Sequence, residues 1–141
     1  DEMVLRPAKA RWSETWNLLS GSSFFKYCTA TQKTWLESIF IPIELKRPGT
    51  LVRQGERHDF IYIIRSGSVA VTRDDAPVAK LSVGDFVGTM QEVTKELASE
   101  YGFTYDGPIS LFAMKRQDIV KFARQNPGIM MKQVYGFGKS I

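Results

Sequence analysis

Pro48-Gly49-Thr50-Leu51-Val52-Arg53-Gln54-Gly55-Glu56 and Phe60-Ile61-Tyr62-Ile63-Ile64-Arg65-Ser66-Gly67-Ser68-Val69-Ala70-Val71 alternate short apolar runs with glycine-bearing turns. Phe60 to Ile64 is rich in aromatic and β-branched residues, as in a buried strand. Ser66-Gly67 is a two-residue hairpin signal, and Ser68 to Thr72 alternates as a half-buried strand should. Asp74-Asp75-Ala76-Pro77 reads as a longer turn, after which Val78-Ala79-Lys80-Leu81 resumes the strand pattern. Gly84-Asp85 turns again before Phe86-Val87-Gly88, and Ile109 to Met114 is the last clear strand. Many short strands at this spacing predict an antiparallel β-barrel or jelly roll.

Helical periods flank and interrupt this pattern. Trp12, Trp16 and Leu19 share one helical face, and Ser20-Gly21 stops it. Thr29-Ala30-Thr31-Gln32 has capping-box form, and the helix it opens presents Trp35, Leu36, Ile39 and Phe40 until Pro42 ends it. Val93, Leu97 and Tyr101 recur at helical spacing, predicting an inserted helix over about residues 90–101. Ile119, Phe122 and Ala123 mark a helix closed at Asn126-Pro127, and that pair opens another with Ile129, Met130, Gln133, Val134 and Phe137 along one face. The expected organisation is a helical segment over 1–42, a barrel over 43–114 and helices over 115–141, all within one domain.

The 141 residues, 43% hydrophobic with nine Phe, five Tyr and three Trp, suffice for a core and exclude a disordered chain. Cys28 is the single cysteine, so disulfide frameworks and Cys-rich zinc modules are excluded, in keeping with an intracellular, cytoplasmic setting. No apolar run approaches a membrane span, and the first residues do not form a signal peptide. The chain opens without Met and reads as a piece of something longer. The net charge of +4 invites a nucleic-acid reading, but bases never run beyond two in a row, so scattered solubilising charge is expected and no nucleic-acid partner.

The glycines at 49, 55, 67, 84 and 88, within the two stretches above and Val78-Ala79-Lys80-Leu81-Ser82-Val83-Gly84-Asp85-Phe86-Val87-Gly88, resemble the cyclic nucleotide-binding domain family over about residues 24–127. The resemblance implies a jelly roll with an N-terminal helical bundle and C-terminal helices that act as a lid. It also implies a phosphate-binding cassette of the form Gly-Glu-x-Ala-Leu, a short helix, then Arg-x-Ala-Thr. There the helix N-terminus and the Arg neutralise a cyclic phosphate, and the Glu accepts from a ribose hydroxyl.

This chain departs from that cassette. Aligned on Gly88 it reads Gly88-Thr89-Met90-Gln91-Glu92, with Thr89 in the ribose-Glu position and Glu92 in the Leu position. Aligned on Thr104, the Arg position falls on Tyr101. Residues 85–106 hold five acids against one base, Lys95, a net of −4 that leaves +8 on the remainder. The cassette is therefore degenerate, and the expected pocket is lined by Phe86, Val87, Gly88, Thr89, Met90, Lys95, Tyr101, Phe103 and Thr104. Lys95 is the one side chain that could supply a cation.

Met130, Val134, Tyr135 and Phe137 are the lid candidates. In some channel members of the family a segment of the chain occupies the empty pocket, and Tyr135-Gly136-Phe137-Gly138 has the aromatic and flexible character to do so. His58 reads as a surface turn residue between Arg57 and Asp59. A single histidine gives little basis for a metal centre, a Cys28-His58 nucleophilic pair lacks context, and Glu56 with Asp59 is an acidic turn.

The resulting expectation is a non-catalytic regulatory or scaffolding module. It has no resident cofactor and acts through neighbouring domains of a parent chain, a protein partner or a homodimer paired through the flanking helices. The alternative is a true cAMP- or cGMP-sensing domain with an atypical cassette.

Overall fold

The computed structural model describes residues 17–18, 28–130 and 135. Trp12, Trp16, Leu19 and Ser20-Gly21 of the first expected helix lie outside the described residues, as do Met131, Gln133, Val134 and Phe137; Asn17 and Leu18 are helical. Helix α1 (Ala30–Ser38) starts at the expected capping box, with the Thr29 hydroxyl accepting from Gln32 N–H and the Gln32 side chain accepting from Thr29 N–H. Strands β1 (Ile41–Leu45), β2 (Gly49–Val52), β3 (Phe60–Ser66), β4 (Val69–Arg73), β5 (Ala76–Leu81) and β6 (Phe86–Val87) follow. Then come α2 (Met90–Thr94), β7 (Gly102–Tyr105), β8 (Ile109–Lys115), α3 (Arg116–Gln125) and α4 (Pro127–Met130).

The strands form two antiparallel four-stranded sheets, ordered β1-β8-β3-β6 and β2-β7-β4-β5. This is the anticipated jelly roll. Successive strand residues face opposite ways, so Ile64, Leu111 and Val87 join Val69, Val71, Tyr101 and Phe103 in one core cluster. Ile61, Ile63, Phe112 and Met114 instead join Leu36, Val93, Ile119 and Phe122 from the helices in a second. The run Phe60 to Ile64 is continuously apolar because its sheet is covered on both faces.

Several details depart from the sequence expectation. Pro42 lies inside β1 rather than ending α1, which stops at Ile39; β1 is an edge strand, where a missing N–H is tolerated. The turn after β4 is only two residues, Asp74 and Asp75, with φ of 53° and 65°, and Ala76 and Pro77 already belong to β5. Positive φ at both positions suits a tight hairpin whose twist matches its strands.

The inserted helix is also shorter than its period suggested. It ends at Thr94, Glu96 takes a left-handed φ of 52°, and Leu97 is exposed. The chain from there is held by Arg57–Ala98 pairing and by reciprocal backbone bonds of Ser99 with Gly55 and Glu56. Tyr101 nevertheless remains buried, aimed by the β-bridge region rather than by a helix. At the other end Asn126-Pro127 closes α3 and opens α4 as expected.

Candidate functional site

The turn from β6 into α2 carries the site. Gly88 has φ +103°, a conformation L side chains rarely adopt, and a Cβ there would stand 3.1 Å from the Phe60 carbonyl oxygen and 3.4 Å from His58 Nδ1. The backbone can therefore lie directly against the His58 ring. Thr89 then caps α2: its hydroxyl accepts from Glu92 N–H at 3.2 Å, and Glu92 Oε1 accepts from Thr89 N–H at 3.0 Å and from the Thr89 hydroxyl at 3.1 Å. This capping box occupies first-turn donors that an anion would otherwise use.

Tyr135 reaches this turn from the C-terminal end of the chain. Its hydroxyl donates to Glu92 Oε1 at 2.7 Å and accepts from Gly88 N–H at 2.9 Å. Its ring meets Tyr101 edge-on, with centroids 6.2 Å apart and planes at 84°, and tilts against Phe103 at 5.9 Å. Tyr101 and Phe103 are themselves edge-to-face. Burial foremost, then the Glu92 charge, pushes the Tyr135 phenol far above its usual pKa, so the hydroxyl stays protonated and able to donate.

His58 overturns its reading as a surface turn residue. Its side chain is 0% exposed, lies edge-on to Phe103 at 5.9 Å, and places Nε2 3.3 Å from Glu92 Oε2. Neither ring nitrogen meets the geometry of a well-aligned hydrogen bond, so Nε2 and Glu92 Oε2 face one another as a close polar contact. Arg116 anchors the turn that carries His58: its guanidinium donates to the His58 carbonyl and to Asp59 Oδ1, both at 2.9 Å, and approaches Glu96 at 3.4 Å. Burial by itself raises the Glu92 pKa. His58, followed by the hydrogen bonds from Tyr135 and Thr89, outweighs that and holds the carboxyl below its usual value.

The expected pocket residues divide. Gly88, Thr89, Tyr101 and Phe103 converge around Glu92 and Tyr135, with Val87 in the same core cluster. Phe86 and Met90 turn the other way, against Leu36, Ile61, Met114 and Phe122 beneath the helices. Thr104 faces the outer side of its sheet, beside Ser68, Lys80 and Asp106, because it alternates with Phe103. Lys95, at the end of α2, is exposed and is not among the side chains that meet in the site. The acidic stretch does not converge either. Asp85 caps its own turn at Ser82, Glu96 faces Arg57 and Arg116, and Glu100 and Asp106 are exposed, so Glu92 is the acid that enters.

Of the lid candidates, Tyr135 is the one whose contacts are described, with Gly88, Glu92, Tyr101 and Phe103. The Met130 side chain, Val134 and Phe137 lie outside what is described. Sequence reasoning missed the His58–Glu92 contact, and its one signal was Gly88, whose missing side chain makes room for the ring. Cys28 packs in the helix-side core with its thiol pushed up by burial despite Lys33, unlike an activated nucleophile. Among the described residues no three His, Cys, Asp or Glu side chains group as a metal site. Nor is any helix among them long and apolar enough to cross a membrane.

A family model described as the cyclic nucleotide-binding domain matches residues 42–126. A cGMP-dependent 3',5'-cGMP phosphodiesterase A from Dictyostelium discoideum is 29% identical over 132 residues, covering 92% of this chain and 15% of the relative. A cGMP-dependent protein kinase from Toxoplasma gondii is 24% identical over 95 residues, covering 67% of this chain and 10% of the relative. Among solved structures, the regulatory domain of Toxoplasma gondii PKA with cAMP superimposes with a TM-score of 0.73 at 20% identity, over 89% of this chain and 49% of that one. The chain thus spans only a small part of the curated relatives it matches.

Proposed function

Because the chain belongs to the cyclic nucleotide-binding domain family, we propose that it is a non-catalytic regulatory module whose cassette is closed by its own Tyr135 instead of a cyclic nucleotide. The observation that carries this reading is the Tyr135 hydroxyl seated between Gly88 N–H and the Glu92 carboxylate. A cyclic phosphate in that place would meet Glu92, and Tyr101 stands where the family's Arg aligns. A charged hydrogen bond is worth about 1.5 to 3 kcal/mol, so the missing Arg alone lowers affinity about tenfold to hundredfold. A like charge at 4 Å adds about 1 to 4 kcal/mol of repulsion, depending on how much water screens it.

Such a module acts by contact, inside the cell, on neighbouring domains of a longer parent chain, on a protein partner, or on a second copy through the helices flanking the barrel. Tyr135 links the pocket to whatever follows it, so its docking and release would report to those neighbours. The second reading is a cyclic-nucleotide sensor with an atypical cassette, favoured by the two curated relatives whose names are cGMP-dependent. In that case the nucleotide must displace Tyr135.

Titration of the chain with cAMP and cGMP, followed by melting temperature and Trp fluorescence, separates the readings. No shift at millimolar nucleotide is expected. A response to either nucleotide at micromolar concentration would overturn closure by Tyr135 in favour of the sensor.

A further inference from the structure

The partners of Tyr135 define what the pocket can recognise once that side chain leaves. One oxygen meets a donor, Gly88 N–H at 2.9 Å, and an acceptor, Glu92 Oε1 at 2.7 Å. An oxygen that accepts one hydrogen bond while donating another must carry a proton, as a hydroxyl or a water does, and aromatic walls select a hydroxyl borne on a ring. The walls around the ring are aromatic, Tyr101 edge-on at 84° and Phe103 tilted at 36°. Beneath Glu92, the wholly buried His58 ring stands 3.3 Å from Oε2 and holds the carboxylate against the turn.

We propose that this pocket recognises small neutral phenolic molecules, which take the place of Tyr135 by donating a hydrogen bond from their hydroxyl to Glu92 and accepting one from Gly88 N–H. The inference rests on the reading that Tyr135 closes the pocket. Each half of the recognition excludes a class. A phenolate, carboxylate or phosphodiester cannot donate to Glu92 and brings a second negative charge beside it. An aryl ether accepts from Gly88 N–H but leaves Glu92 Oε1 without that donor. An aromatic ammonium donates but cannot accept. A bare hydrocarbon fills the aromatic walls and forfeits both bonds, and sites built around a hydroxyl discriminate strongly against analogues that lack it. The hydroxyl's two bonds, one to a charged acceptor, correspond to a preference of about tenfold or more.

The test uses the chain with Tyr135→Ala beside the unaltered chain, titrated with p-cresol, 4-methylanisole and toluene, reading affinity by calorimetry and by amide shifts at Gly88 and Glu92. The three probes share nearly the same ring and differ in the hydroxyl. The expected result is that p-cresol binds Tyr135→Ala about tenfold or more tightly than either other probe, and binds the unaltered chain at least tenfold more weakly. Equal affinity of the three probes for the variant, or binding of none of them, overturns the phenolic recognition. Closure by Tyr135 still stands if the variant admits toluene and the unaltered chain does not. If p-cresol binds both chains equally and shifts Gly88 in both, it is closure by Tyr135 that fails. Tyr135→Leu, which keeps apolar filling, carries the same comparison should the alanine variant not fold.

Discussion

Tyr135 donates its hydroxyl proton to Glu92 Oε1 over 2.7 Å, joining residues 43 positions apart in the chain. The bond fastens the C-terminal segment to the turn on which the family's cassette is built. It is charge-assisted, and the same hydroxyl also satisfies Gly88 N–H.

Removing that hydroxyl should loosen the segment without emptying the site. Tyr135→Phe keeps the aromatic contacts but leaves both bonds unmade, so a loss of about 1 to 3 kcal/mol is expected from urea unfolding. Combined with Glu92→Gln in a double-mutant cycle, the coupling should be positive and of similar size, about 1 to 3 kcal/mol. Strict additivity would mean the two residues are not joined in solution.

Acid should undo the same arrangement, through Glu92. Burial raises its pKa, but His58, Tyr135 and Thr89 together bring it below the ordinary 4.5. A folded value below the unfolded one contributes stability that is complete above the unfolded value and disappears as pH falls through the folded value. The stability gap between the unaltered chain and Glu92→Gln should therefore be constant from about pH 7 to about pH 5 and narrow below. A gap that widens on acidification would contradict the direction of the shift.

Gly88 admits no side chain at low cost. Its φ of +103° is strained for any L residue, and an added Cβ would stand 3.1 Å from the Phe60 carbonyl oxygen, a backbone atom with little room to move. Gly88→Ala should cost at least about 2 kcal/mol in urea unfolding and weaken the His58–Glu92 contact. A near-neutral result would show that the turn relaxes without loss.

Cys28 offers a probe remote from the site. The thiol is buried in the helix-side core and its pKa is raised, so little thiolate is present or reachable. An aromatic disulfide reagent at pH 8 should react at least about a hundredfold more slowly with the folded chain than in urea, since attack awaits local opening. Equal rates would place the N-terminal side of that core in fast exchange with open forms.

How much of this was legible depended on the range of the forces involved. The Thr29–Gln32 capping box and the Asn126-Pro127 junction were readable because a side chain bonds or shapes backbone a few residues away. The strand runs from Thr50 to Val87 were readable because alternation and glycine turns are local patterns. The length of α2 was not. The period through Leu97 and Tyr101 continued, but Ser99 pairs with Gly55 and Glu56, and Glu96 turns left-handed. Tertiary hydrogen bonding outweighed helical propensity there.

By itself the sequence determined the jelly roll, the capping box that opens α1, and the aromatic character of Tyr101 and Phe103. Only the tertiary structure decided which of five acids enters the pocket, that His58 is buried against Glu92, that Phe86 and Met90 turn away, and that Tyr135 fills the space. Chain spacing encodes which face a residue takes within its own element. Burial of a charge depends on partners brought from other elements, here His58 before β3 and Tyr135 beyond α4, and no local pattern carries that information.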